Sequence, residues 1–241
     1  MSLNRLDKII ALNCNVSRKE ARELVKSGKV KVNGNIVLRS EELVDSSADS
    51  INVNGFEFAS KNHIVIMMNK PDGVITATKD DNKKTVIDLI PDNLMRRSLF
   101  PCGRLDKNTE GLLIITDDGE LCHRIVSPSH HVYKTYIATL TRPLDSKAIA
   151  SLENGVVLSD GTQCLPARIN YYKDDYGYCC MIKIREGKYH QVKRMFLAVG
   201  NHVDKLKRTA IGALKLDESL KPGECREMTR DEIELLFGED G

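Results

Sequence analysis

The sequence predicts an α+β chain: a small N-terminal helix–helix–hairpin unit, then a larger domain on a mixed, mainly antiparallel sheet. Three observations carry this. Two helical periods and an Asn-Gly hairpin signal crowd into the first segment, ahead of Leu38. Further on, apolar runs of strand length outnumber helical periods and are separated by hairpin-length gaps. The 241 residues are enough for one large domain and a small one. The polar stretch Lys61-Asn62-His63 marks the expected boundary, giving domains 1–60 and 61–241.

In the first domain, Leu3, Leu6, Ile9 and Ile10 recur at helical spacing. Ser17 opens a second helix as a capping box, with Glu20 three residues on. Ala21, Leu24 and Val25 form its apolar stripe, and Gly28 is the stop residue. Val30 and Val32 then alternate with Lys29 and Lys31, Asn33-Gly34 turns the chain, and Ile36-Val37 starts the return strand. Arg5, Lys8, Arg18, Lys19, Arg22, Lys26, Lys29 and Lys31 are threaded through this unit. A core of about sixty residues is marginal alone, so a tether to the larger domain is expected.

In the second domain, Ile64 to Met68 reads as a buried strand running into the turn Asn69-Lys70-Pro71-Asp72-Gly73. Lys70 there suits a phosphate or a carboxylate. Val86 to Leu89 begins a short helix. Leu112 to Thr116 is a buried strand ended by Asp117-Asp118-Gly119, and Glu120 to Ile125 suits a helix. Val132 to Leu140 is a strand, and Ser146 to Asn154 a helix stopped by Gly155. Gly161 to Tyr172 and Tyr178 to Ile184 read as strands. Gln191 to Val199 is a helix with Val192, Phe196 and Val199 as its stripe. Lys205, Lys207 and Arg208 follow as a close basic group, and Asp231 to Phe237 is a last amphipathic helix.

Net charge is +2, which hides a strong pattern. Residues 1–34 hold eight Lys/Arg against three acids, residues 181–215 nine against two, and residues 216–241 three against nine. One basic block reads as a solvated surface; two blocks with an acidic tail suit a polyanion on one face. The seven cysteines include no C-x-x-C pair, the pattern of reduced thiols in a cytoplasmic protein. No dinucleotide fingerprint, phosphate loop or zinc-like spacing occurs, so neither cofactor nor metal is expected. No apolar run reaches the roughly 18 residues of a membrane helix. Arg5, Asp7 and Lys8 interrupt any signal-peptide core. A monomer is expected.

The chain turns on Gly103-Arg104-Leu105-Asp106, a tight loop that presents a cation and a carboxylate just ahead of the Leu112 strand. By itself such an Asp is a turn residue or half of a surface ion pair. Its company changes the reading. Asn69-Lys70-Pro71 precedes it, Tyr133-Lys134-Thr135-Tyr136 follows, and then come Glu186-Gly187-Lys188-Tyr189-His190-Gln191-Val192-Lys193-Arg194-Met195-Phe196. With Ser127-Pro128-Ser129-His130-His131 and Ala198-Val199-Gly200-Asn201-His202-Val203, these stretches resemble the pseudouridine synthases. Within them they resemble the branch that modifies ribosomal RNA, its small-subunit members above all. Residues 1–60 resemble the RNA-binding module of a small-subunit ribosomal protein, which reads phosphates and helix shape.

The resemblance implies the family's α+β fold and a cofactor-free isomerisation of uridine in small-subunit (16S) rRNA, free or in an assembling subunit. It makes Asp106 the catalytic carboxylate, adding covalently to the substrate or acting as a base on the ribose. The uridine must be extruded from its helix into a pocket. Tyr136 matches the stacking tyrosine. Lys193 matches the cation beside Asp106, with Arg194 the alternative; the two point about 100° apart on a helix, so one of them faces the site. Arg104 is assigned to the gap left by the base or to a flanking phosphate, Leu105 to the pocket wall, and His190 and Gln191 to orientation. Arg5, Arg18, Lys19, Arg22, Lys26, Lys29 and Lys31 are the expected RNA contacts of the front module. Two further readings stand beside this one: a synthase acting on large-subunit rRNA, and a catalytically idle RNA-binding assembly protein.

Overall fold

The computed structural model describes the chain except residues 1–2, 15, 46–48, 60–62, 97, 128–129, 175–176 and 239–241. Lys61 and Asn62 of the expected boundary, and Pro128 and Ser129, lie outside the described residues. Two compact units form: Met1–Ile64 with Asp92–Leu99, and Val65–Pro91 with Phe100–Gly241.

The first unit comprises β1 (Leu3–Arg5), α1 (Leu6–Asn13), α2 (Arg18–Lys26), β2 (Val30–Val32), β3 (Asn35–Ile36), β4 (Leu43–Asp45), β5 (Ser50–Val53) and β6 (Phe56–Ala59). Ser17 and Glu20 make the reciprocal capping box: Ser17 Oγ accepts from the Glu20 N–H at 3.2 Å, and the Ser17 N–H donates to Glu20 Oε2 at 2.6 Å. Gly28, at φ +70°, ends α2; its N–H reaches Val25 O at 3.0 Å and that of Lys29 reaches Leu24 O at 3.2 Å. Those are the two bonds of a Schellman stop. Asn33 (φ 50°) and Gly34 (φ 82°) both take the left-handed conformation that a tight hairpin turn needs. Leu6, Ile10, Val25, Val30 and Ile51 close one small core.

Two expectations are corrected here. Leu3 is not on the first helix; it pairs with Asp45 in an edge ladder and is 59% exposed. Nor are all seven basic residues free for RNA. The guanidinium groups of Arg5, Arg18 and Arg22 converge on the buried Asp7 carboxylate at 3.2, 2.7 and 3.0 Å. These three hydrogen-bonded cations hold the Asp7 carboxyl far below the usual carboxylate range, against the opposing effect of burial. Lys19, Lys26, Lys29 and Lys31 are exposed.

The second unit holds β7 (Val65–Lys70), a 3₁₀ turn (Ile87–Leu89), β8 (Phe100–Pro101), β9 (Glu110–Thr116) and α3 (Gly119–Val126). It continues through β10 (Lys134–Leu140), α4 (Ser146–Asn154), β11 (Arg168–Asp174), β12 (Gly177–Ile184) and α5 (Gln191–Ala198). It closes with β13 (Val203–Ile211), β14 (Leu214–Lys215), β15 (Cys225–Glu227) and α6 (Arg230–Leu235). The strands form one sheet in the order β11-β12-β10-β13-β9-β7-β15, with β14 on β13 and β8 on β9. All named pairs are antiparallel except β9 with β13, which run parallel through Glu110↔Lys207 and Gly111↔Arg208. That junction joins two antiparallel halves. β7 is buried along its whole length, as is β9 beyond Glu110, which is why both read as continuous apolar runs.

β11 begins at Arg168, not at Gly161. Pro166 has no N–H for a ladder, and the preceding stretch contributes a single bridge, Val157↔Gln163. Lys205, Lys207 and Arg208 do not form one exposed group. They alternate on β13, so Arg208 is buried and its Nε donates to Leu112 O at 2.7 Å. At the end of the chain, Arg226 is clamped between Asp217 at 2.6 Å and Glu232 at 2.7 Å.

Candidate active site

The loop from Cys102 to Thr109 leaves β8 and enters β9. Gly103, at φ +73°, makes its first bend. Thr76 Oγ1 donates to Leu105 O at 2.8 Å and accepts from the Leu105 N–H at 3.2 Å. The Thr109 N–H returns to Asp106 O at 3.0 Å, and the Gly73 N–H reaches Lys107 O at 3.0 Å. Beneath the loop lies Lys70, fully buried at the end of β7. Its ammonium donates to Pro71 O at 2.9 Å, Lys107 O at 3.1 Å and Thr109 O at 2.9 Å. Neither phosphate nor carboxylate is the partner: the Asn-Lys-Pro turn sends this cation inward, to its own turn at Pro71 and to the loop backbone just after Asp106. Burial lowers its pKa to about 8, partly offset by Asp72, Glu110 and Asp106.

The Asp106 loop is thus tied through its backbone at Leu105, Asp106, Lys107 and Thr109, while Asp106 keeps 23% of its side chain exposed. Lys193 Nζ stands 3.6 Å from one carboxylate oxygen and His190 Nε2 3.5 Å from the other. Both separations exceed hydrogen-bond length, so they bias the carboxylate's position while leaving lone pairs open. The ion pair has a gross attraction of about 4 kcal/mol at an effective dielectric near 20, much of it offset by desolvation. Lys193 also donates to Asn108 Oδ1. Asn108 sits two residues past Asp106; its loop position was legible, its role was not.

The helix α5 sorts its two cations. Lys193 faces Asp106, whereas Arg194 turns away to Asp160 at 2.5 Å and also donates to Tyr189 O at 3.3 Å. Gln191 is buried. Its amide nitrogen donates to Glu186 Oε1 at 2.5 Å and its oxygen accepts from the Lys188 N–H at 2.9 Å. It therefore pins the approach to α5 and makes no direct contact with Asp106 in this structure. His190, at φ 47° and ψ 35°, precedes the helix in the left-handed region.

Opposite the loop, Tyr136 is 8% exposed on β10, flanked by Ile182 on one side and Arg208 on the other. With Leu105, Ile184, Val192 and Leu206 it walls a cleft that ends at Asp106, and Arg104 is exposed at the rim. A wider hollow of about 670 Å³ lies between α4 and the end of α5. It holds no comparable pairing: its carboxylate, Asp145, caps α4 through the Ala148 N–H at 2.7 Å. Among the described residues no group of His, Cys, Asp and Glu is arranged to hold a metal ion. Among them, too, no helix is long and apolar enough to cross a membrane.

The family model described as RNA pseudouridylate synthase matches residues 64–198, which include Asp106, Tyr136 and Lys193. The chain belongs to the RNA pseudouridine synthases. An S4 domain matches residues 4–49. The synthase is 44% identical to the uncharacterized RNA pseudouridine synthase YtzG of Bacillus subtilis, over 96% of this chain and 98% of that one. It is 41% identical to ribosomal small subunit pseudouridine synthase A of Vibrio vulnificus, over 97% and 99%. It is 37% identical to ribosomal large subunit pseudouridine synthase B of Bacillus subtilis, over 97% and 96%. A solved pseudouridylate synthase superposes with a TM-score of 0.66 at 38% identity, over 96% of this synthase and 99% of that chain.

Proposed function

We propose that this synthase isomerises one uridine of small-subunit (16S) rRNA, with Asp106 as its catalytic carboxylate. The observation that carries the reading is the meeting of Asp106 with Lys193 at 3.6 Å, at the end of a cleft walled by Tyr136. The reaction breaks the bond from the ribose to uracil nitrogen 1, turns the base and joins the ribose to carbon 5. Nitrogen 1 gains a proton and carbon 5 loses one, so the balance closes without redox chemistry. A carboxylate with free lone pairs serves either by adding to the substrate or by taking a ribose proton.

The target must leave its helix to reach so recessed a group, at a cost of a few kcal/mol. Tyr136 and Leu105 supply the aromatic and apolar walls for the extruded base. Arg104 at the rim suits the vacated stack or a flanking phosphate. Residues 1–60 act as an RNA-binding module tethered to the catalytic domain 61–241. The exposed Lys19, Lys26, Lys29 and Lys31 are its phosphate contacts, with the outer edges of Arg5, Arg18 and Arg22 secondary to their Asp7 role.

The deciding experiment is release of tritium from carbon 5 of labelled uridine in rRNA. Asp106→Asn is expected to abolish release while RNA binding persists; an active Asn variant would remove Asp106 from the role. The 37% identity to an enzyme named for the large subunit favours a second reading, a large-subunit target. Mapping pseudouridines with and without the gene separates the two, since a signal lost from large-subunit rRNA would overturn the first.

A further inference from the structure

The rim of the cleft carries an aromatic that the reaction itself does not use. Tyr189 is 72% exposed, and its ring lies on the His190 imidazole with centroids 3.8 Å apart and planes 17° apart. An exposed aromatic alone needs no explanation. This one is fixed in place. Its carbonyl accepts from Arg194, itself tied to Asp160, and the residue after it holds a left-handed backbone. Gln191, through Glu186 and the Lys188 N–H, closes the same turn from below. The imidazole that carries the tyrosine ring approaches Asp106 with its far nitrogen, at 3.5 Å. Carboxylate, imidazole and phenol ring therefore form one file from the reaction centre to solvent.

A strand that delivers one nucleotide to Asp106 must leave the cleft across this rim. Extrusion also strips the neighbouring base of its stacking partner. Unpaired bases are gripped on aromatic faces, which accept any base because each has a π-face. We infer that Tyr189 is a stacking platform for the base of a nucleotide adjoining the target uridine. The inference rests on the reading of Asp106 as the reaction centre. It assigns a second base subsite to the turn that precedes α5, with His190 backing the ring.

The test uses the full-length synthase and a naked transcript carrying the mapped uridine, read by tritium release. Tyr189→Ala is expected to raise KM about tenfold, more than it lowers kcat, and Tyr189→Phe to restore KM to within about twofold. Replacing one neighbour of the target by an abasic nucleotide is expected to cost the wild type a similar factor. The Ala variant should lose nothing further on that RNA. An unchanged KM for Tyr189→Ala, or losses that multiply, would overturn the platform. So would a defect seen only within an assembling subunit, which would give the ring to a protein contact. Asp106→Asn is run alongside. If it turns over, the reaction centre is misassigned. If it is dead while Tyr189→Ala behaves as wild type, only the platform fails. Thermal unfolding midpoints guard against misfolding, since an exposed side chain is removed.

Discussion

The β-carbon that Gly111 lacks would lie 2.2 Å from the carbonyl oxygen of Arg208. Gly111 also sits at φ +100°, where a side chain is strained whatever the space. This is the parallel contact between β9 and β13, so the sheet halves meet only because a glycine stands there. Gly111→Ala is expected to destabilise the catalytic unit by more than about 3 kcal/mol. Thermal unfolding would show it, and a wild-type midpoint would contradict the close approach.

The division of labour on α5 makes a kinetic prediction. Lys193→Met should lower the single-turnover rate at saturating RNA by about 100-fold or more, because Asp106 loses its lysine partner. Arg194→Met should spare much of that rate and instead loosen the turn at Tyr189, seen as weaker RNA binding. Equal rate losses in the two variants would mean that Arg194, too, serves the carboxylate.

Lys70→Met replaces a buried ammonium by an isostere that cannot donate. Three carbonyls lose a donor, at about 1–3 kcal/mol for each left fully unsatisfied, while Lys107 O keeps the Gly73 N–H. We expect a lowered unfolding midpoint together with slower turnover, as the Asp106 loop slackens. A stable variant with full activity would show that the loop holds itself.

In the first unit, Asp7→Asn removes the anion on which three arginines converge. The arginines are about half exposed, so the cost is on the order of 2–3 kcal/mol and not the larger figure for a fully buried network. Denaturation of the isolated substitution in the full chain, followed by a probe in residues 1–60, would measure it. The same variant frees three guanidinium groups, so RNA affinity is expected to fall less than stability does.

Acid should loosen the end of the chain. A hydrogen bond from Arg226 holds the Glu232 carboxyl down at about 2, and the Ser219 hydroxyl followed by Arg226 does the same for Asp217. Both folded values lie below the ordinary ones of 4.5 and 3.8. The folded state therefore binds fewer protons than the unfolded state between those limits. The stabilisation is complete above about pH 4.5 and is lost as pH falls through about 2. Unfolding midpoints at stepped pH should fall less steeply in Arg226→Met than in wild type; parallel slopes would exclude the clamp.

Local chemistry made much of this fold legible in advance. Ser17 with Glu20, Gly28 and Asn33-Gly34 each announce a bond pattern within a few residues, and the structure forms them. The loop bearing Asp106 was readable because its charge precedes an unbroken apolar strand. What stayed hidden depends on distant partners. Nothing near Lys70 or Arg208 says that these cations turn inward, the first to carbonyls of the Asp106 loop and the second to a carbonyl of β9. Asp7 looks like an exposed helix residue until α2 brings two arginines to it. Thr76 carries no signal at all, since its value lies in reaching Leu105, 29 residues away.

The parallel seam has a consequence for how the enzyme fails. Asp106 hangs from β9, whereas Tyr136 lies on β10 in the other half of the sheet and Lys193 on α5, which joins β12 to β13. A hairline parting between β9 and β13 would draw acid from wall and cation while each half stayed folded. Warming should therefore silence the chemistry before it melts the protein, and turnover becomes a finer thermometer of that joint than any bulk spectroscopic signal.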